Sequence, residues 1–566
     1  MTLTGIIRIV PRETICKMVQ NETTTLWGNV VDILSRTIYG AEVTIEGGRI
    51  SRIRRTGKKE TSYLLPGFID AHIHIESSMS TPAAFAQTAV QHGTIGVVTD
   101  PHEMANVLGV AGIDYMIDNI KDLPFYAWTG LPSCVPSTGL EGTATVIDAA
   151  QTARLLKRDD IHFLSEVMNF PCVIQRGPEM MKKIQAAKDA GKSIDGHAPL
   201  MTSKDLKAYI AAGISTDHEA ISIEDGREKC AAGLHILIRE GSAAKNFHAL
   251  HPLLKEYPEQ IMFCTDDIHP SDLLKGHINL SVKRALALGY DLYDVLRAAS
   301  YNPARHYHIP VGFLREGDSA DFVQVNNLED MRIEATYIKG VCVYDGKDTC
   351  DFPEVTATPN IINNFHALPV SPADLAVKAE TSRIRVITYQ EGELITGEEI
   401  HEASVCGGFV QSDTSRDIVK LVIVNRYCPA PPSVAFIKGT GIKHGAVAQS
   451  IMHDNHNLIA VGVNDEDIAE ALNAVIKAKG GIAVSSPHKE TCLFSLPVAG
   501  LISPLPVRCI AEKYEQLERE IKALGTPLSS LQMTLSFMGL IVIPSLKLSD
   551  KGLFDTNAFS FTNLFV

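Results

Sequence analysis

Residues 27–55 (WGNVVDILSRTIYGAEVTIEGGRISRIRR) alternate apolar and polar positions around Gly47-Gly48, the period of half-buried strands joined as a hairpin. The stretch from Gly312 to Asp345 repeats that texture. Between them the pattern changes: short apolar runs ending in His, Asp or Glu alternate with helical periodicity. The runs are FIDAHIH, TIGVVTD, FYAWTG, IHFLSEV, SIDGHAP, ISTDHE, HILIREG and IMFCTDD. Helix signals separate them: Ser80-Thr81-Pro82 supplies a cap and a first-turn proline before AAFAQTAVQH, and Gly93 closes that segment. PEMMKKIQAAKDAG and TSKDLKAYIAAG follow the same logic. Eight strand–helix units over residues 66–308 predict an α/β chain with a parallel (β/α)₈ barrel. The strand-rich flanks, 1–65 plus 309–360, then form one small split β-sandwich domain that the chain builds in two visits. Residues 361–566 mix helix patterns (EDIAEALNAVIKAKG, AEKYEQLEREIKALG) with strand patterns (LIAVGV, GIAVSS) and predict a third, α+β domain. Ala357-Thr-Pro-Asn360 and Pro429-Ala-Pro-Pro432 fall where boundaries or loops are expected.

The length, 566 residues, agrees with two to four domains of about 150 residues. A content of 45% hydrophobic and 21% charged residues is that of a globular protein and excludes disorder or a fibre. Lys+Arg of 52 against Asp+Glu of 66 leaves −14, so there is no global basic footprint for nucleic acid or an anionic membrane. Eleven cysteines without paired spacing read as reduced thiols. The N-terminal MTLTGIIRIVPRETICKMV lacks the apolar core of a signal peptide, and no run of about 18 apolar residues occurs. A soluble cytoplasmic protein is expected.

His72-Ile-His74 is the first chemical signal. On a strand, residues i and i+2 project to one face, so two imidazoles can reach one metal from the barrel mouth. Twenty histidines make such a pair unremarkable by itself, and His306-Tyr-His308 is a second one with no strand around it. Position separates the two, because His72 and His74 end the opening barrel strand, where barrel enzymes carry catalytic residues. Equivalent strand ends carry Glu166, His197, His218 and Asp266, while the seventh run offers no ligand. Each residue alone reads as a satisfied polar group; the set reads as a binuclear metal centre. Glu166 is the candidate bridge, one oxygen to each cation, and no lysine that could be carbamylated lies in its strand; its competing role is to accept a hydrogen bond behind a ligand histidine. Imidazole with carboxylate suits Mn²⁺, Fe²⁺ or Zn²⁺.

Asp266 at the end of strand eight can bind metal and accept a proton from bound water. Asp267 beside it addresses substrate or caps the turn before Pro270. Asp100-Pro-His102-Glu103 follows strand two on the same barrel face, to orient substrate, relay a proton or cap the next helix. Glu76, Ser77 and Ser78 follow the histidine pair directly and suit substrate polar atoms or turn duties. His444 and His453-Asp-Asn-His456, between two strand-like segments, read as a loop reaching the active-site mouth or a subunit contact, as turn chemistry, or as a second metal site.

PGFIDAHIHIESSM, VTDPHEMANVLG, LPSCVP, SEVMNFP, DGHAP, STDHE and FCTDDIHP together resemble the bacterial and archaeal adenine deaminases of the amidohydrolase superfamily. FIKGTGIKHGAVAQSIMHDNHNLIAVG, LPVAGL and MTLSFMGLIVIPSLKLSDKGL in the C-terminal part are similar to that family too, so the likeness covers almost the whole chain. It implies purine salvage: adenine as substrate, hypoxanthine and ammonia as products, and two divalent ions, Mn²⁺ or Fe²⁺ before Zn²⁺. His72 and His74 with Glu166 would hold one ion, Glu166 with His197 and His218 the other, and Asp266 would match the strand-eight aspartate that binds metal and moves protons. A hydroxide held by both cations would attack C6, with Glu103 or His102 protonating ring nitrogen N1. Asp267, Glu76, Ser77 and Asp100 are the expected substrate contacts. The expected partner is a free nucleobase, with no nucleic acid and no membrane, and a homo-oligomer, dimer favoured.

Two other readings stand at this point. One keeps the barrel and changes the reaction to a cyclic amidase or deacetylase, dihydroorotase- or hydantoinase-like; such enzymes usually bridge their metals with a modified lysine or use a single metal, and they leave the third domain unexplained. The other is a non-catalytic binding module, which has no need for six convergent ligands.

Overall fold

In the computed structural model the chain is described over residues 23–201, 203–350, 352, 361–389 and 395–566. The N-terminal segment examined for a leader and the Ala357–Asn360 boundary lie outside the described residues.

All eight apolar runs are strands. They are β1 (Phe68–His74), β2 (Thr94–Thr99), β3 (Tyr126–Leu131), β4 (Phe163–Val167), β5 (Ser193–Gly196), β6 (Thr216–Asp217), β7 (His235–Arg239) and β8 (Ile261–Cys264), the last continued by Asp266–Asp267. Their continuous apolar character follows from burial on both faces, as parallel strands wrapped by helices require. Parallel pairing runs from β1 to β5 and from β6 to β8, and Asp266 opposite Ile73 joins β8 back to β1. Between β5 and β6 no ladder forms; the seam is held by Ser215 N–H donating to Ile194 O (3.0 Å) and Gly196 N–H to Thr216 Oγ1 (3.0 Å). A Cβ on Gly196 would lie 2.2 Å from Thr216 O, so only glycine permits this approach.

The helix after β1 runs Pro82–Ala89 with proline in its first turn and ends on Gly93 in the left-handed region (φ 79°). Thr81 takes the cap position, but its side chain makes no capping bond. The two strand-rich flanks meet in one sheet: Phe322–Val325 pairs antiparallel with Tyr63–Pro66, which stitches Thr24–Asp32, Thr37–Glu46 and Arg49–Arg55 to Ile333–Ile338 and Val341–Tyr344. The seven strands curl as a continuous sheet, not as two separate ones. Its edge strand Arg49–Arg55 also meets the segment leading into Phe322–Val325, because Ala320 N–H donates to Gly48 O (3.0 Å) and Arg49 bridges Ser319.

The C-terminal part is a second layered unit. Its eight-stranded sheet has Ile418–Val424 near the centre, every residue buried. Alternate side chains serve opposite faces: Leu421 and Ile423 pack toward the helix Val507–Ala523, Val422 and Val424 toward the helix Asp465–Ala478. Asn464 caps the latter by accepting from Asp467 N–H (2.7 Å). Burial of each such Val, Leu or Ile contributes about 1.5–3 kcal/mol, which makes this sheet a core in its own right.

The unit sits over the barrel mouth through polar joints. Asn455 Nδ2 donates to Glu141 Oε1 (2.5 Å), Gly142 N–H to Asp550 Oδ1 (3.0 Å), and Asn364 Nδ2 to Val107 O (3.1 Å). Among the described residues no helix is long and apolar enough to cross a membrane.

Candidate active site

The ends of β1, β4, β5, β6 and β8 bring His72, His74, Glu166, His197, His218 and Asp266 into one cluster. Glu166 is its centre: Oε1 lies 3.3 Å from His74 Nε2 and 4.0 Å from His72 Nε2, while Oε2 lies 2.9 Å from His197 Nδ1 and 3.3 Å from His218 Nε2. Asp266 Oδ1 stands 3.1 Å from His74 Nε2 and 3.5 Å from His72 Nε2. All but His197, which is partly exposed, are buried.

These spacings suit cations. Ligand atoms roughly 2.0–2.2 Å from one tetrahedral ion stand roughly 3.3–3.5 Å apart. His72 Nε2 is buried and makes no hydrogen bond among the described residues, as a donor atom reserved for a metal would be. Groups able to hold an ion include His72, His74 with Asp266 and His72, Glu166 with His218.

Supporting bonds fix the strand ends. Asp70 in β1 accepts from Thr265 Oγ1 (2.5 Å) and Thr265 N–H (3.1 Å), locking β8 onto β1. Tyr209 Oη accepts from His197 N–H (3.0 Å) and donates to Val167 O (2.7 Å), tying β4 to β5. At Asp266 the backbone enters the left-handed region (φ 59°), which costs a non-glycine residue about 1 kcal/mol or more. That turn lets both aspartates act on one side: Asp266 meets the cluster, and Asp267 lines the adjoining cavity and accepts from Ser77 Oγ (2.5 Å). Asp267 caps no turn.

The seventh strand does contribute. Arg239 at its end is buried, with Nη1 2.5 Å from Asp266 Oδ2 and 2.6 Å from Glu219 Oε1. Burial pushes the Asp266 carboxyl up, yet Arg239, His72 and His74 outweigh it and hold it well below the usual carboxylate range. Neither Arg239 nor Glu219 was expected. Arg239 is a charge at a barrel-strand end and no metal ligand, so ligand chemistry does not point to it, whereas Glu219, directly after His218, is a ligand-type carboxylate that stands with His197 and His218.

The Asp-Pro-His-Glu segment divides. Asp100 and His102 sit behind the ligands: His74 Nδ1 meets Asp100 O at 2.9 Å, Asp100 Oδ2 meets His102 Nδ1 at 3.3 Å, and His102 Nδ1 is 3.5 Å from Glu166 Oε1. Asp100 is buried there and does not line the cavity, contrary to the substrate contact expected of it. The helix His102–Leu108 has no side-chain cap. Glu103, in its first turn, faces the third domain and is gripped by two imidazoles, His453 through Nδ1 on Oε1 and His456 through Nε2 on Oε2. Met452 N–H points at His456 Nδ1 (3.3 Å), which leaves the proton on Nε2. Burial opposes the Glu103 charge, but His453, His456 and His102 win and hold its carboxyl well below normal. Burial likewise opposes the His453 charge, and Glu103 outweighs it, raising that imidazole to about 9. Thus the loop 453–456 reaches the active-site mouth, whereas His444 lies apart, 3.5 Å from Ser486 Oγ on the surface.

The cavity beside the cluster comprises about 580 Å³ of space, part of it open to solvent. Glu76, Ser77, Glu103 and Asp267 form its barrel side; Gln449, His453, Gln532 and Phe537 belong to the third domain. Glu76 Oε1 accepts from Met104 N–H (3.2 Å), and desolvation raises its carboxyl to about 7. His453 stacks on Phe537 with ring centres 4.8 Å apart and planes 16° from parallel, a flat wall for an aromatic ligand.

Residues 63–343 match the sequence model of the amidohydrolase family, and residues 393–560 that of the adenine deaminase C-terminal domain. The chain is 62% identical over 549 residues to an adenine deaminase of Parabacteroides distasonis, covering 97% of this chain and 100% of that protein. It is 46% identical over 550 residues to an adenine deaminase of Methanosarcina mazei, covering 95% and 99%. An adenine deaminase of Salinibacter ruber is 47% identical over 541 residues, covering 95% and 98%.

Proposed function

The chain belongs to the adenine deaminase family of the amidohydrolases, and from that premise we propose how its own residues convert adenine and water to hypoxanthine and ammonia. The observation that carries the assignment of the site is the convergence of four imidazoles on Glu166, with Asp266 against two of them, beside a cavity with an aromatic wall.

His72, His74 and Asp266 with Glu166 would hold one divalent ion, and His197 and His218 with Glu166 the other; Mn²⁺ or Fe²⁺ suits this imidazole–carboxylate set. When bound, the ions supply a water ionised near neutral pH as the nucleophile for C6. Asp266 takes up that water's proton on Oδ1, because Arg239 already occupies Oδ2. Ring nitrogen N1 gains its proton from the Glu103–His453 pair. Glu103 rests as the anion, so its imidazolium partner is the proton source and the carboxylate the relay, a refinement of Glu103 as a simple acid. Asp266 then returns its proton to the departing amine, and the proton left on the new C6 oxygen restores the Glu103–His453 pair as the C6 carbonyl forms, so that water's two hydrogens end on ammonia and on N1. Asp267, Ser77 and Glu76 orient the base at the barrel side, and His102 with Asp100 steadies Glu166 and His74. The absence of a lysine from β4 separates this centre from those bridged by a modified lysine.

Loading the purified chain with manganese, counting the metal and assaying ammonia from adenine, adenosine, cytosine and dihydroorotate tests the reading. Two equivalents of metal and ammonia from adenine alone are expected; turnover of dihydroorotate with none of adenine would refute it.

A further inference from the structure

Two glutamines of the third domain stand at the cavity wall with their amide oxygens unused. Gln449 ends the strand Ala446–Gln449 and is 1% exposed. Its Nε2 donates to Ile451 O (2.7 Å), Gln532 O (2.9 Å) and Ser536 Oγ (3.0 Å). Two of those partners are backbone carbonyls that can only accept, so the orientation of the amide is fixed and Oε1 is the atom left over. That oxygen is buried without a hydrogen-bond partner among the described residues. Gln532, 2% exposed, repeats the arrangement: its Nε2 is held by Tyr514 Oη and Glu518 Oε1, and its Oε1 has no partner.

An acceptor buried without a donor is costly unless a ligand supplies one. Adenine carries donors at two ends only, the exocyclic amine and the imidazole-ring N–H. The amine reacts at the metal cluster, so acceptors on the third-domain wall are left for the imidazole N–H. A nucleoside lacks that N–H, since its sugar replaces it.

We propose that Gln449 Oε1, with Gln532 beside it, accepts the imidazole N–H of the purine and thereby restricts the enzyme to the free base. This rests on the adenine reading above. A site built around one N–H rejects analogues without it far more strongly than it could reject a change in bulk.

The test compares adenine with its 9-oxa analogue, which has the same ring size but oxygen in place of N9–H, so that its five-membered ring keeps one nitrogen, N7, and carries no N–H. For the manganese enzyme, kcat/KM should favour adenine by at least about 100-fold. In Gln449→Met, adenine should lose about 10- to 100-fold, the analogue should change less than about threefold, and the preference should shrink accordingly. Equal losses on both substrates would make Gln449 a purely structural residue and overturn the proposal. If that variant fails to fold, a wild-type ratio near one overturns it and a ratio of about 100 or more upholds it. Should wild type release no ammonia from adenine, the deaminase reading fails by itself. Equilibrium binding of the two bases to the same preparation then still decides the N–H preference.

Discussion

Arg239 holds Oδ2 of Asp266 at 2.5 Å, so Oδ1, against His72 and His74, is the oxygen that both the proposed metal and proton roles must use. Asp266→Asn keeps the shape and removes that basicity; ammonia release from adenine should fall by about 10²–10⁴, the range of a lost general base, while circular dichroism stays unchanged. An unaltered rate would end the assignment. His453 carries a pH signature of its own. Glu103 lifts its pKa from 6.5 to about 9, so the contact's stabilisation is complete below about 6.5 and disappears as pH climbs through about 9. Urea unfolding should show His453→Gln less stable than wild type at pH 6 and the gap closing by pH 10.

At the level of elements, the β5–β6 seam is the weak course in the barrel wall. The Gly196→Ala methyl would be forced onto Thr216 O, 2.2 Å away, and spread the strands that carry His197 and His218. Manganese content should drop from two equivalents toward one, with the ion on His72, His74 and Asp266 retained; two tightly held equivalents would refute this. The central strand Ile418–Val424 answers differently. Leu421→Ala there should cost about 2–5 kcal/mol in chemical unfolding, with the residual folded enzyme keeping its KM. Strands and helices were legible in the sequence because periodicity survives translation into burial: all eight barrel runs and both C-terminal helices lie where their patterns place them. The clustering of the six candidate ligands was legible because a barrel puts strand ends at one mouth. Arg239 escaped because a cation is no metal ligand. The grip of His453 and His456 on Glu103 spans some 350 residues of sequence, and no local pattern encodes a contact of that range.

In the whole molecule, barrel and third domain share the site, through His453 and His456 on Glu103 and through Asn455 on Glu141. Calorimetry should therefore show one coupled transition, and Glu141→Ala, which removes a joint away from the metal cluster, should resolve it into two. Stripping the ions with a chelator leaves Glu166 and Asp266 among four crowded imidazoles. Restoring manganese at about 100 times its dissociation constant should recover about 2.7 kcal/mol of stability for each ion bound, read as a rise in Tm. An unmoved Tm would place the ions elsewhere.

The cavity's two-sided lining divides its residues between two folds. Every metal ligand proposed above belongs to the barrel's strand ends, while Gln449, Gln532 and Phe537 belong to a wall that another fold supplies. Substrate range can therefore drift, or be redesigned, through residues such as Gln449 and Phe537 without disturbing a single metal ligand. The same barrel paired with a different wall would be a different enzyme.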